Sequence, residues 1–384
     1  MGNHCIIKII GVIEMKIKSF EFNLRELAGS MGDFGTLFPL AIGYIVICGL
    51  NPASFLVMMG LCNIITGLVY QLPIPIEPMK IIAIVAIAQQ WTPSMVYASG
   101  FGMGIIWIIL AITGIIERIA QITPNCVIRG IQVTLGILLM FQAYKMISTN
   151  WIISIVSIII VLFFRQNRYT PAAIVLMVIG LLIMLTQGKF DLLSAPALAM
   201  PVFTTFSIKE VWQTLLLAGF AQVPLTATNA TIATSSLIKK YWPEKKVSEK
   251  QLAWNQGIMN IILPFLGGMP TCHGAGGLAG QYYFGARTGG ANILEGLIEI
   301  FLGLFLSASI ASLFSVFPIA IIGAMMFMVG IELLKFAQEV KTSKNMIPMI
   351  ITILTALVTN MFYGFLAGIA SYYLISFLLR PRIN

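Results

Sequence analysis

The chain has 384 residues, of which 58% are hydrophobic and only 10% charged, with a formal net charge of +9. Soluble domains carry nearer a quarter charged residues, so the composition excludes an ordinary soluble protein and points to an all-α polytopic membrane protein. The basic residues sit between apolar runs, where they set topology, so nucleic acid is excluded as a partner.

Met1–Glu14 reads as a short extension without a cleavable signal, and Met15 is an alternative start. Lys16–Leu27 alternates basic, acidic and apolar residues, as expected of an amphipathic segment on a membrane surface. Residues 1–29 thus form an N-terminal cytoplasmic segment. Ser30–Gly49 is a first span, with Asp33 and Thr36 near its start, and Ala53–Tyr70 a second. The third is broken: extended Leu72–Glu77, carrying prolines, passes directly into a half-helix from Pro78 to about Gln90. Ser94–Ile116, Pro124–Tyr144, Trp151–Phe164 and Thr170–Thr186 complete a first repeat over residues 30–186.

Residues 187–210 form a linker. The second half, residues 211–380, opens with Val211–Leu237, whose middle is rich in Thr, Ser and Asn. The polar loop Lys239–Lys250 and span Gln251–Leu266 follow. The tenth span is again broken, at Gly268–Leu278 (GMPTCHGAGGL). Ala291–Leu313, Pro318–Phe336, Met346–Met361 and Tyr363–Leu379 bring the expected count to fourteen. With the chain stopping at Asn384, no soluble C-terminal domain is expected.

The halves repeat. Leu135-Gly136-Ile137 after Pro124 matches Val329-Gly330-Ile331 after Pro318, and the two broken segments fall at the same offset. Seven spans per repeat make the halves inverted, and paired broken segments are the sequence pointer to a transporter's binding site. Lys and Arg fall mainly into alternate connections, among them Arg165/Arg168, Lys239–Lys250, Lys341/Lys344 and Arg380/Arg382. That bias puts both termini in the cytoplasm of a multi-pass cell-membrane protein. Gly276-x-x-x-Gly280 and Gly100-x-Gly102-x-Gly104 read as helix-packing signals.

Charges retained inside a bilayer are functional candidates because each costs several kcal/mol to insert. Lys80 lies at the start of the first half-helix, where unpaired N–H groups and the helix dipole already favour an anion. It either meets substrate or pairs with Glu77 or Asp33. His273 follows Pro270 at the second half-helix start, amid glycines that let a ligand approach the backbone. It either serves substrate or a proton, or is packed. Thr226, Thr228 and Asn229 offer uncharged donors to a ligand or to neighbouring helices. Glu295 and Glu299 share one helical face and are candidates for proton coupling, alongside Glu77, or for pairing with Arg287. Five scattered cysteines with no C-x-x-C pair support no metal or disulfide framework, and no cofactor is expected. No G-x-S-x-G elbow or phosphate-binding loop is present, so no enzyme is expected.

GDFGTLFPL, PIEPMKIIA and PTCHGAGGLAGQYYFGARTG together resemble the molybdate transporter family related to the sulfate permeases, over about Glu26 to Leu379. The resemblance implies a seven-plus-seven inverted repeat in which a core domain moves against a gate domain. It implies import of a tetrahedral oxyanion, molybdate first and tungstate or sulfate next, with a proton or sodium as candidate co-substrate and a homodimer as a candidate assembly. Pro78, Met79 and Lys80, with Cys272, His273, Gly274, Ala275 and Gly276, match the family's two substrate-site motifs. The chain departs from the family at Glu77, where Gln is frequent, and at Tyr283, where a basic residue is expected. A proton-coupled nucleobase or carboxylate transporter is the alternative that Glu77 suggests.

Overall fold

The computed structural model describes residues 15–17, 19–31, 34–164, 172–188 and 194–378. The extension Met1–Glu14, Asp33, Asp191 and the end beyond 378 lie outside the described residues, as does the side chain of Thr36.

The expected single amphipathic segment is instead a hairpin and a short helix. β1 (Met15–Ile17) pairs antiparallel with β2 (Phe20–Phe22), and α1 (Leu24–Ser30) follows. Asn23 caps α1 by accepting the N–H groups of Arg25 and Glu26, and Glu26 is buried rather than solvated.

In the first half, α2 (Phe34–Val46), α3 (Pro52–Tyr70), β3 (Ile76–Pro78), α4 (Lys80–Gln89) and α5 (Pro93–Thr113) precede a short α6 (Ile116–Ile122). α7 (Asn125–Ile147), α8 (Trp151–Phe164) and α9 (Ala172–Thr186) follow. Residues 194–207 form an extended strap, tied by the Ala197 and Ala199 N–H groups to the carbonyls of Phe305 and Leu304.

The second half opens with one continuous helical rod: α10 (Ile208–Thr214), a π-turn at Leu215–Gly219, α11 (Phe220–Thr226), a second π-turn at Ala227–Ile232, and α12 (Ala233–Tyr241). Pro224 and the Thr/Asn-rich run disturb the regular ladder here, and π-turns of this kind cluster at functional sites. α13 (Glu249–Ile262), β4 (Thr271–His273), α14 (Ala275–Phe284), α15 (Gly290–Val316), α16 (Ile319–Leu334), α17 (Ser343–Val358) and α18 (Met361–Leu378) complete the chain. Among the described residues, seven helices are long and apolar enough to cross a membrane, and shorter apolar helices include Lys80–Gln89 and Lys344–Val358. The chain is a multi-pass helical membrane protein.

The packing has an internal correspondence. α3 packs on α15, α13 on α5 and α7 on α16. Glycines set these contacts: a methyl on Gly136 would meet the Gly330 carbonyl at 2.8 Å, and one on Gly60 the Gly296 carbonyl at 2.5 Å. Without water to drive helices together, such close backbone approach supplies the van der Waals contact that holds them. Gly104 likewise packs against the backbone of Asn260.

At the centre β3 and β4 cross antiparallel, pairing Ile76 with His273, Glu77 with Cys272 and Pro78 with Thr271. Pro73, Pro75, Pro78 and Pro270 keep these segments extended, and the short strands satisfy each other's backbone where no helix can. Pro78 therefore sits in a strand, and α4 begins at Lys80 rather than at Pro78.

Candidate functional site

Two buried asparagines hold the strands in place. Asn63 on α3 accepts the Ile76 N–H at 3.2 Å, and Asn260 on α13 accepts the Thr271 N–H at 2.9 Å while donating to the Thr271 carbonyl at 2.6 Å. Asn292 on α15 donates to the Ile74 carbonyl at 2.5 Å. Each satisfies a backbone group that apolar neighbours would leave unpaired at a cost of about 1–3 kcal/mol.

From this crossing α4 and α14 start at one cavity of about 470 Å³. Its walls include Glu77 and Lys80, Gln222, Thr226 and Asn229 on the rod, Cys272 to Gly276, and Glu332 and Phe336 at and beyond the end of α16. Gln132 and Leu40 also line it.

The helix starts are not bare, as the sequence implies; side chains cap part of each. Gln222 accepts the N–H groups of Ile81 at 2.8 Å and Ile82 at 3.4 Å, closing the start of α4. Its amide nitrogen donates to Thr226 Oγ1 at 2.6 Å, which leaves the Thr226 hydroxyl proton to point elsewhere. On α14, Glu77 accepts the Gly277 N–H at 3.1 Å. The other Glu77 oxygen stands 3.0 Å from Lys80 Nζ. The carboxylate is folded over Gly274, where an added Cβ would displace it.

Gly276 behaves differently. A Cβ added to it would meet nothing within 4 Å, so its face opens on the cavity and is not a packing contact. Among the hydrogen bonds of the described residues, Gly277 is the one α14-start N–H with a side-chain acceptor; those of Ala275 and Gly276 remain at the wall. Lys80 faces the same space with 39% of its side chain exposed, against 3% for Glu77. The fixed charges of the lining are balanced in pairs: Lys80 with Glu77, and Glu332 with Lys335 at 2.8 Å. An anion entering here meets one half-exposed ammonium, the hydroxyl of Thr226, the exposed amide of Asn229 and the positive end of α14.

Of the remaining candidates, His273 lines the cavity, whereas Met79, Thr228, Glu295 and Glu299 lie apart from it. Met79 is fully buried, and its N–H donates to the Pro270 carbonyl at 3.0 Å. Thr228 turns its hydroxyl back onto the Pro224 and Leu225 carbonyls. His273 is fully buried, with its ring edge-on to Tyr70 at 5.9 Å. Glu299 accepts from Asn63 at 2.9 Å and Glu295 from Gln281 at 3.0 Å. These two carboxylates, one turn apart on α15, thus each tether one central segment: β3 through Asn63, α14 through Gln281. The Arg287 guanidinium donates to the carbonyls of Tyr282 and Ala286 and stacks over the Tyr282 ring.

Sequence reasoning missed Gln222, Asn63, Asn260, Asn292 and Gln281. The signal was available: each is an amide inside an apolar run, where it is retained only if something buried must be satisfied.

A family model described as "Molybdate transporter of MFS superfamily" matches residues 25–139 and 214–333, more than half of the chain. The chain is 29% identical to Molybdate transporter 1 of Arabidopsis thaliana over 401 residues, 91% of this chain and 87% of that protein. The fold is that of the transmembrane domain of a cyanobacterium bicarbonate transporter BicA, with a TM-score of 0.67 at 15% identity over 92% of this chain and 98% of that one. It also follows SLC26A9, with a TM-score of 0.70 at 13% identity over 94% of this chain and 66% of that one. These matches are to transporters, not enzymes. By sequence over most of its length, and with a fold shared with BicA and SLC26A9, the chain belongs to the molybdate transporter family and is an anion transporter.

Proposed function

We propose that the protein moves a tetrahedral oxyanion, molybdate before tungstate or sulfate, through the cavity between the starts of α4 and α14. The observation that carries this reading is the open face at Gly276 opposite Lys80. There a small anion can replace its water with backbone N–H groups, a hydroxyl and one ammonium. The likeness to Molybdate transporter 1 supports molybdate as the first candidate.

Alternating access fits a seven-plus-seven inverted repeat of fourteen spans, with α2–α5 and the rod through α15 as core and the remaining helices as gate. The exchange of partners between α3–α15 and α5–α13 supports that reading. So does the asymmetry at the site: α4 packs on α7, whereas the cavity separates the start of α14 from α16. The basic connections favour cytoplasmic termini in the cell membrane. A proton carried by Glu77 or by the Glu295/Glu299 pair, or a sodium ion, would supply the coupling, and a homodimer through the gate helices is the assembly that this reading carries.

Uptake of radiolabelled molybdate into proteoliposomes is the test. Saturable uptake, abolished by Lys80→Ala and competed by tungstate, is expected. No saturable uptake, or competition by uracil in preference to oxyanions, would overturn the proposal.

A further inference from the structure

A second cavity, of about 540 Å³, runs in the crevice between α3 and α13 and shares no lining residue with the one described above. Its α3 wall is a stripe of Leu61, Ile65 and Val69, spaced four apart and 40–62% exposed. Ile258 and Ile262, about half exposed, form the opposite wall with Trp254. In a globular protein such paired apolar stripes would be covered; here they face the bilayer.

The groove is polar at one end only. Lys245 and Lys246, in the connection between α12 and α13, line that end. Lys245 leans across it, donating to Gln71 Oε1 at 3.1 Å at the end of α3. The nearby Glu249 is engaged by Lys239 at 3.8 Å, and Glu244 is not part of the lining. Asn255, one turn in from Gln251, has a buried side-chain oxygen with no hydrogen-bond donor among the described residues.

Length decides what fits. From Gln251 to Ile262 the α13 wall rises about 16 Å at 1.5 Å per residue. That is close to half of the ~30 Å hydrocarbon core, the depth of one leaflet. We infer that this groove binds one anionic phospholipid, with an acyl chain between the α3 and α13 stripes and the phosphate on Lys245 and Lys246. A soluble polar ligand would leave the apolar walls wet, and a zwitterionic lipid would gain little from two ammonium groups. The site has a consequence for the transport path. Tyr70 lines the groove, donates to the Gln251 carbonyl at 3.1 Å and packs on His273 in the anion cavity. The lipid therefore braces the wall behind β4.

Native mass spectrometry of the purified transporter, with phosphatidylglycerol and phosphatidylcholine offered at equal concentration, tests this. Wild type is expected to retain one phosphatidylglycerol in preference to phosphatidylcholine. Surface lysines attract anionic lipid by about fivefold each, so Lys245→Gln with Lys246→Gln should lower phosphatidylglycerol retention on the order of thirtyfold. Ile258→Trp, which fills the groove, should lower retention of both lipids. Calorimetric molybdate binding by both variants checks that they are folded. Equal retention of the two lipids by wild type overturns the inference without any variant. So does undiminished phosphatidylglycerol in the lysine pair or in Ile258→Trp. A dimer that Ile258→Trp dissolves, with no lipid retained, would assign the groove to a second copy of the chain instead.

Discussion

Replacing Glu77 by glutamine is expected to tighten anion binding. The Glu77 carboxylate stands 3.0 Å from the Lys80 ammonium. At an effective dielectric near 20 that pair attracts by about 5.5 kcal/mol, and at the dielectric of water by about 1.4 kcal/mol. Lys80 is 39% exposed on its side chain while Glu77 is 3% exposed, so the true figure lies between these limits. Either way most of the lysine's field is spent on Glu77 rather than on a ligand, and a second negative charge in the cavity repels the incoming anion. Glutamine keeps an oxygen to accept the Gly277 N–H but removes the charge. Even the water-limit value corresponds to a tenfold lower Kd for molybdate. The assay is equilibrium calorimetry on purified protein at two salt concentrations, because turnover would also report any proton coupling through Glu77. Binding unchanged or weakened in Glu77→Gln would refute the reasoning, since it would mean that the carboxylate is not competing for Lys80. Lys80→Ala should act the opposite way, losing binding and leaving a buried carboxylate uncompensated, at a stability cost of about 3–5 kcal/mol.

Gly276→Ala should weaken molybdate binding at least tenfold with an unchanged melting temperature, since the methyl enters open cavity; Gly274→Ala, driven into the Glu77 carboxylate, should instead lower thermal stability by about 1–3 kcal/mol. Asn63→Ala strips the Glu299 carboxylate of a donor and the Ile76 N–H of an acceptor, and a loss of about 1–3 kcal/mol per orphaned group in detergent unfolding is expected. A Gly296→Val change at the α3–α15 contact should destabilise by a similar 1–3 kcal/mol, read by the same melt. Burial pushes the Glu26 carboxyl above its usual range, against the N–H groups of Arg287 and Thr288 that lower it. The protonated form is thus favoured in the fold. Docking of α1 should be firmest below about pH 4.5 and weaken as pH rises through the folded value. Hydrogen exchange across residues 24–30, corrected for intrinsic rate, measures this, and Glu26→Gln should flatten it.

The chain's own pattern settles a good deal. Apolar runs with sparse charge can be satisfied only in a bilayer, so class follows from composition alone. Prolines at 73, 75, 78 and 270 forbid continuous helices there, so the extended segments and the helices after them are legible from local sterics. The family motifs lie at the same positions, which is why Lys80 and Gly274 to Gly276 could be named as candidates without coordinates.

Tertiary structure decided who meets whom. Gln222 reaches Ile81 from 141 residues away and Glu77 reaches Gly277 from 200, and no local periodicity encodes those meetings. A glycine in a packing motif looks the same in sequence whether its face meets a helix, as at Gly104, or open cavity, as at Gly276. Glu295 and Glu299 read as a like-charged pair, yet each is turned to a different amide by the helices packed beside it. The amphipathic N-terminal stretch became a hairpin and cap because Glu26 found the Arg287 and Thr288 N–H groups in the turn before α15. Sequence fixes which groups must be satisfied; only the packed fold determines which partner satisfies them and which are left facing the cavity for a ligand.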